Sequence, residues 1–193
     1  MIAYLLAHWL EWLGVITTCL GIWLTTRRNL LCWPITLAAD IIYLVVYYRT
    51  FLLSDTLLQV FFVAFTLYGW WNWRRGVRTD GEVRIQKLMP SSAVIAIIVG
   101  AIGSVVLGFI TQHLHAALPW LDAPLASYSL VASYWQARKY IANWWLWIVI
   151  DVLYVGEYIY KNLWPTALLY ALLVALAIFG LRSWRQAPIA GAA

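Results

Sequence analysis

Asp151 stands inside an apolar run, Arg138 to Tyr158, with Trp147 four residues and Trp144 seven residues before it. At 3.6 residues per turn those spacings put two indoles and one carboxylate on one helix face. A carboxylate at mid-bilayer costs about 3 kcal/mol to insert and is by default a functional site that needs a partner. An anion flanked by indoles suits a flat, cationic ligand, which an aromatic face holds with about 0.5 to 2 kcal/mol. The competing reading of Trp144 is an interfacial anchor, because Trp concentrates at membrane boundaries.

A second acid, Asp40, lies in another apolar run behind Trp33. Tyr43 and Tyr47 follow it as Tyr154 and Tyr158 follow Asp151, either as packing or as hydroxyl donors. Gln59 is an uncompensated amide in an apolar run, a ligand or helix contact. Glu157 either contacts ligand or reaches the outer interface. For the acids the bland alternative is glue between helices, worth about 0.6 kcal/mol per polar contact on average.

Other chemistry is poorly supported. His113 and His115 form an H-x-H without thiol or carboxylate support, so solvated loop histidines are expected rather than a metal site. Ser127, Ser129 and Ser133 have no His or Asp at triad spacing, and neither G-x-S-x-G nor a nucleotide-binding motif is present. An intramembrane enzyme acting on a lipid would call for acid-rich motifs such as D-D-x-x-D, which the chain lacks. The expectation is a non-enzyme without cofactor or metal. A purely structural subunit would leave the two acids unexplained.

The elements that must carry these residues are membrane spans. The chain is 64% hydrophobic and 11% charged, with 14 Trp in 193 residues, too apolar for a soluble domain of this length. Its net charge of +5 comes from short basic clusters between apolar runs, which argues against nucleic acid and for topology signals. The N-terminus lacks a basic leader and runs into the first span, so that helix is expected to be retained. Cys19 and Cys32 fall in different spans and are expected as unpaired thiols.

Charges, Pro and Gly divide the chain into seven spans, near 6 to 25, 31 to 48, 53 to 73, 91 to 112, 117 to 137, 142 to 160 and 164 to 184. The fifth carries Asp122, Pro124, Ser127, Ser129, Ser133 and Gln136, a polarity that predicts cover by neighbouring helices or a cavity lining. Arg27, Arg28, Arg74, Arg75, Arg78, Arg84, Lys87, Arg138, Lys139, Arg182 and Arg185 all fall on one side, with Arg49 and Lys161 on the other. Basic loops face the cytoplasm, which places the N-terminus outside and the C-terminus inside. Arg74 to Lys87, with Asp80, Gly81 and Glu82 at a turn, reads as a cytoplasmic connection.

Sliding the chain by 111 residues aligns Trp33 to Arg74 with Trp144 to Arg185 without a gap. Trp33 meets Trp144, Asp40 meets Asp151, Tyr43 meets Tyr154, Tyr47 meets Tyr158, Gly69 meets Gly180, Trp73 meets Trp184 and Arg74 meets Arg185. Spans one to three thus repeat as spans five to seven. Since both copies run the same way, span four must link them, giving a three plus one plus three bundle of parallel repeats with the site expected near the midplane. The expected organisation is residues 1–75 as the first repeat, 76–115 as cytoplasmic connection and linker helix, and 116–193 as the second repeat with a short tail. Trp147, opposite Thr36, and Glu157, opposite Val46, are where the copies differ.

Trp144, Trp147 and Asp151, together with Tyr68, Gly69, Trp70 and Trp73, resemble the PnuC-type vitamin transporters, whose sixth helix carries W-x-x-W-x-x-x-N/D. The resemblance covers nearly the whole chain. It implies seven helices in SWEET-like order, a homotrimer with one pathway per protomer in the bacterial inner membrane, and facilitated diffusion with trapping by a cytoplasmic vitamin kinase. Nicotinamide riboside carriers resemble this pattern with Asn at the last position, whereas Asp151 looks like the thiamine-carrying PnuT branch. Thiamine is therefore the expected substrate, nicotinamide riboside the runner-up, and uncharged riboflavin ranks lower.

Overall fold

The computed structural model describes residues 9–49, 53–76, 83–113 and 118–187. Within them lie seven helices: α1 (Trp9–Thr26), α2 (Cys32–Arg49), α3 (Leu53–Gly76), α4 (Pro90–His113), α5 (Pro119–Ala137), α6 (Ala142–Tyr160) and α7 (Trp164–Arg185). No strand occurs among the described residues, only one isolated bridge. The all-α expectation and its spans hold to within a few residues. The start of the first span, Arg78, the Asp80 to Glu82 turn, His115 and the tail beyond Ala187 lie outside the described residues.

These helices are covered in a way that water would not permit. Val94, Ile95, Ile98, Ile102, Val105 and Phe109 of α4 are each half exposed or more, and Trp12, Ile16, Phe61, Trp145 and Leu168 are exposed on other helices. A soluble domain does not leave apolar surface of that extent uncovered; lipid covers it. By length and mean hydropathy alone only α4 and α7 qualify as spans. The others score lower because Trp, Tyr and one or two acids depress the hydropathy index while remaining compatible with a bilayer.

The helices form two compact units, one up to Val83 and one from Arg84 on. In the first, α2 packs on both α1 and α3; in the second, α4 packs on α5, α5 on α6 and α6 on α7. The polarity of α5 is spent within its own unit. Ser127 and Ser129 are buried; Ser127 Oγ donates to the Gly100 carbonyl of α4 at 2.9 Å, and Ser129 and Ser133 donate back to Leu125 and Ser129 at 2.8 and 2.9 Å. Hydroxyls in hydrocarbon must find carbonyls, and these do.

The repeat is visible bond by bond. After α1, the N–H groups of Arg28 and Asn29 donate to Thr25 and Leu24; after α5, those of Lys139 and Tyr140 donate to Gln136 and Trp135, the same pattern 111 residues on. This is the Schellman closure, and it sets Arg28 and Lys139 at φ 57° and 64°. Lys139 is buried, and burial followed by the charge of Arg138 pulls its pKa down. The connection before α4 is fastened as well: Gln86 N–H donates to the Lys139 carbonyl at 2.9 Å and Ile141 N–H donates to the Gln86 carbonyl at 3.2 Å. Val83 and Ile85 are buried beside it.

Each unit also holds one aromatic joint. Trp33 meets Trp73 edge-on at 5.2 Å and 80°, and Trp144 meets Trp184 at 5.3 Å and 90°. Both joints require a glycine on the facing helix. A Cβ on Gly69 would lie 2.0 Å from the Trp33 ring, and one on Gly180 would lie 2.6 Å from the Trp144 ring. Gly69→Ala and Gly180→Ala should each destabilise the chain by about 1–3 kcal/mol, the usual range for overpacking, read as a lowered Tm in detergent. An unchanged Tm would show that the indole can step aside.

Candidate functional site

In the second unit α6 carries Trp144, Trp147 and Asp151 on adjoining turns, and its neighbours divide them. Trp144 is 1% exposed and turns to α7, against Gly180 and Trp184. Trp147 turns to the Leu125, Ala132 and Ile150 cluster, formed with α5, and remains only partly buried. Its Nε1 is buried without an acceptor, as are those of Trp33 and Trp144. Asp151 is 4% exposed and receives no hydrogen bond from any described residue. A buried, unpaired polar group of this kind costs free energy unless something supplies the missing donor.

The first unit treats its matching acid differently. Asp40 is buried, and Thr66 Oγ1 of α3 donates to its Oδ2 at 2.6 Å. The residue 111 positions after Thr66 is Ala177, which is buried and brings no hydroxyl. One member of the acid pair is thus satisfied within its own unit and the other is not. Gln59 is buried and makes no hydrogen bond with a described residue. Trp33, like its counterpart Trp144, packs into the aromatic joint.

The tyrosines extend both faces. Tyr43 and Tyr47 stack at 5.8 Å, and Tyr154 and Tyr158 at 6.0 Å. In the second unit Tyr170, the counterpart of Gln59, closes a three-ring cluster at 4.7 and 5.2 Å from Tyr154 and Tyr158. Glu157 does not reach outward. It is buried and bonded to Lys161, whose Nζ also lies 3.5 Å from Asp122 of α5. Burial opposes the Lys161 charge, but the hydrogen bond to Glu157 and the attraction of both carboxylates outweigh it and raise its pKa above the ordinary lysine value. Thr66, Tyr170 and the Lys161 to Asp122 pair were not legible as site residues. Thr66 alone left a trace, a hydroxyl standing in an apolar run.

Two outcomes follow from these contacts. Thr66→Val removes the donor from a buried carboxylate and should cost about 1–3 kcal/mol, seen as a drop in Tm; no drop would mean that Asp40 finds another donor. A lysine whose pKa is raised on folding contributes stability below its unfolded pKa, and loses it as pH climbs through the folded one. Lys161→Met should therefore lower Tm at neutral pH, and as pH is raised from neutral the gap should narrow only above about pH 10.4, the ordinary lysine value. A gap that closed well below that pH would assign the effect to another group.

Comparison with known proteins places this geometry. The family described as nicotinamide mononucleotide transporter matches residues 8–186. The riboflavin/roseoflavin transporter RibM of Streptomyces davaonensis is 28% identical over 176 residues, covering 89% of this chain and 80% of its own length. The nicotinamide riboside transporter PnuC of Escherichia coli is 28% identical over 202 residues, covering 91% of this chain and 84% of its own. A crystal structure of the vitamin B3 transporter PnuC shares the fold, with a TM-score of 0.76 over 93% of this chain and 81% of that one at 21% identity. The seven-helix, lipid-facing chain with its paired acids and aromatic joints belongs to the nicotinamide mononucleotide transporter family, the PnuC family of multi-pass membrane proteins.

Proposed function

We propose that the chain carries a flat, cationic vitamin across the bacterial inner membrane by facilitated diffusion, with nicotinamide riboside the first candidate. The observation that carries this is Asp151, a buried carboxylate with no donor among the described residues, one turn from an indole whose Nε1 also lacks a partner. A pyridinium or thiazolium ring offers the charge that such an acid needs and the flat face that Trp147 can stack on. The names of the Escherichia coli and Neisseria mucosa relatives favour nicotinamide riboside over thiamine, the substrate expected from sequence. Thiamine stays the second reading on one ground: Asp151 stands where, by the family resemblance, nicotinamide riboside carriers have Asn. Riboflavin, in the name of RibM, has no cation to reward the acid.

In this reading Asp151 and Trp147 hold the charged ring, with Tyr154 and Tyr158 supplying aromatic and hydroxyl contacts in the same unit, and Gln59, Tyr43 and Tyr47 are the substrate contacts of the first unit. Trp33 and Trp144 keep the helices at the spacing the site needs, Asp40 holds α2 to α3, and Glu157 braces the second unit. Residues 1–75 and 116–193 act as the repeats and 76–115 as their connection. Basic loops argue for an outside N-terminus and a cytoplasmic C-terminus. The resemblance adds a homotrimer and a cytoplasmic vitamin kinase that traps the product.

Proteoliposomes loaded with labelled nicotinamide riboside and competed with thiamine or riboflavin test the substrate order. Flux should be saturable and survive collapse of proton and sodium gradients; the absence of saturable flux for every vitamin would end the transporter reading. Asp151→Asn should weaken the cation by about tenfold or more, and a shift below threefold, about 0.7 kcal/mol, would refute the charge contact. Ala177→Thr offers Asp151 the hydroxyl that Asp40 already has. It should weaken the vitamin by about tenfold, the scale of one hydrogen bond to a charged group, while leaving Tm unchanged or higher.

A further inference from the structure

Leu67, Trp70, Trp71, Arg74 and Arg75 recur at helical spacing along the last two turns and more of α3, and together line an open recess of about 480 Å³. Its inner part is apolar, with Leu67 and Trp71 each about half exposed. Its outer part is cationic. The Arg75 guanidinium lies 3.9 Å from the centre of the Trp71 ring, closer than Arg27 over Trp23 at 5.5 Å or Arg185 over Trp145 at 5.4 Å. Stacking occupies the face of a guanidinium and leaves its in-plane N–H donors free, the geometry that takes a phosphate on two parallel bonds. Neither Arg74 nor Arg75 makes an ion pair or hydrogen bond with a described residue.

We infer that this stripe of α3 is a binding site for an anionic phospholipid, the phosphate on Arg74 and Arg75 and the upper acyl chain along Trp71, Trp70 and Leu67. Three features favour a lipid. The recess is half apolar and half cationic along one helix axis, matching the order of chain and headgroup. It sits at the basic end of the spans, where the positive-inside rule puts the cytoplasmic leaflet and its anionic headgroups. Neither cation has a carboxylate partner among the described residues. The repeat provides an inner control, because Trp71, Arg74 and Arg75 are matched by Arg182, Arg185 and Gln186, so the second unit keeps two guanidiniums but lacks the indole and the arginine that stack at the corresponding place.

The test is thermal unfolding of the purified full chain in detergent, titrated separately with phosphatidylglycerol, phosphatidylcholine and inorganic phosphate. Phosphatidylglycerol should raise Tm saturably and phosphatidylcholine should not. The double variant R74Q/R75Q should need about thirty times more phosphatidylglycerol for half the effect, the loss expected of two interfacial arginines. R75K, which keeps the charge and loses the stacked fork, should need several times more and guards against a double variant that fails to fold. R185Q should stay within about threefold of the parent. Equal stabilisation by phosphatidylcholine would overturn the site, and so would a loss in R185Q as large as in the double variant. Stabilisation by phosphate alone would make it a soluble-anion site. A double variant that changed the mass of the complex but not its lipid affinity would assign the recess to a second copy of the chain.

Discussion

In hydrocarbon a polar group has no water to fall back on, and every buried donor or acceptor must be answered from within the protein or by what it carries. That constraint orders the whole molecule. The serines of α5 return their hydroxyls to carbonyls, Thr66 answers Asp40, and Lys161 answers Glu157 and Asp122. Against these settled contacts the buried indole N–H groups of Trp33, Trp144 and Trp147 and the carboxylate of Asp151 have no partner among the described residues. Asp151 alone of these is an acid, and the proposed carriage of a cation rests on it.

Duplication makes the exception interpretable. The two units share their turn hydrogen bonds, aromatic joints and tyrosine stacks almost residue for residue, so a difference between them is a controlled comparison made by the protein itself. Thr66 against Ala177 is a change of one hydroxyl, and it converts a structural carboxylate into an available one. Val46 against Glu157 is a second difference, which the fold absorbs into a brace rather than a contact.

Much of this was legible in the sequence. Span lengths, the apolar periodless helices, the repeat and the two acids all follow from residue type and spacing, because lipid leaves few structural options and register is preserved between copies. What was not legible depends on which neighbour a side chain meets. Trp144 and Trp147 share a helix face, yet one packs on α7 and the other toward α5, a division set by Gly180 and by the small residue Ala132. Glu157 was read as either a ligand contact or an outer-interface residue because nothing in its own run pairs with it, and the lysine it bonds comes from the turn after α6 and also faces Asp122 of α5. The proposed substrate was not legible for a related reason: both candidate vitamins are cationic, so a buried acid separates neither, and the names of the relatives are what favour nicotinamide riboside.

The clip at Gln86 has a meaning in time. Everything needed for the first unit has been synthesised by Val83, but Gln86 must wait for Lys139 and Ile141, some fifty residues later on the ribosome, before its two backbone bonds can close. The pairing of α4 with α5 then brings the ends together, since a hairpin of helices replaces a long flexible loop and lowers the entropy cost of closing it. The short connection that reads as the beginning of the second unit is therefore fastened only once the first helical hairpin of that unit has been made, and before its last two helices have been.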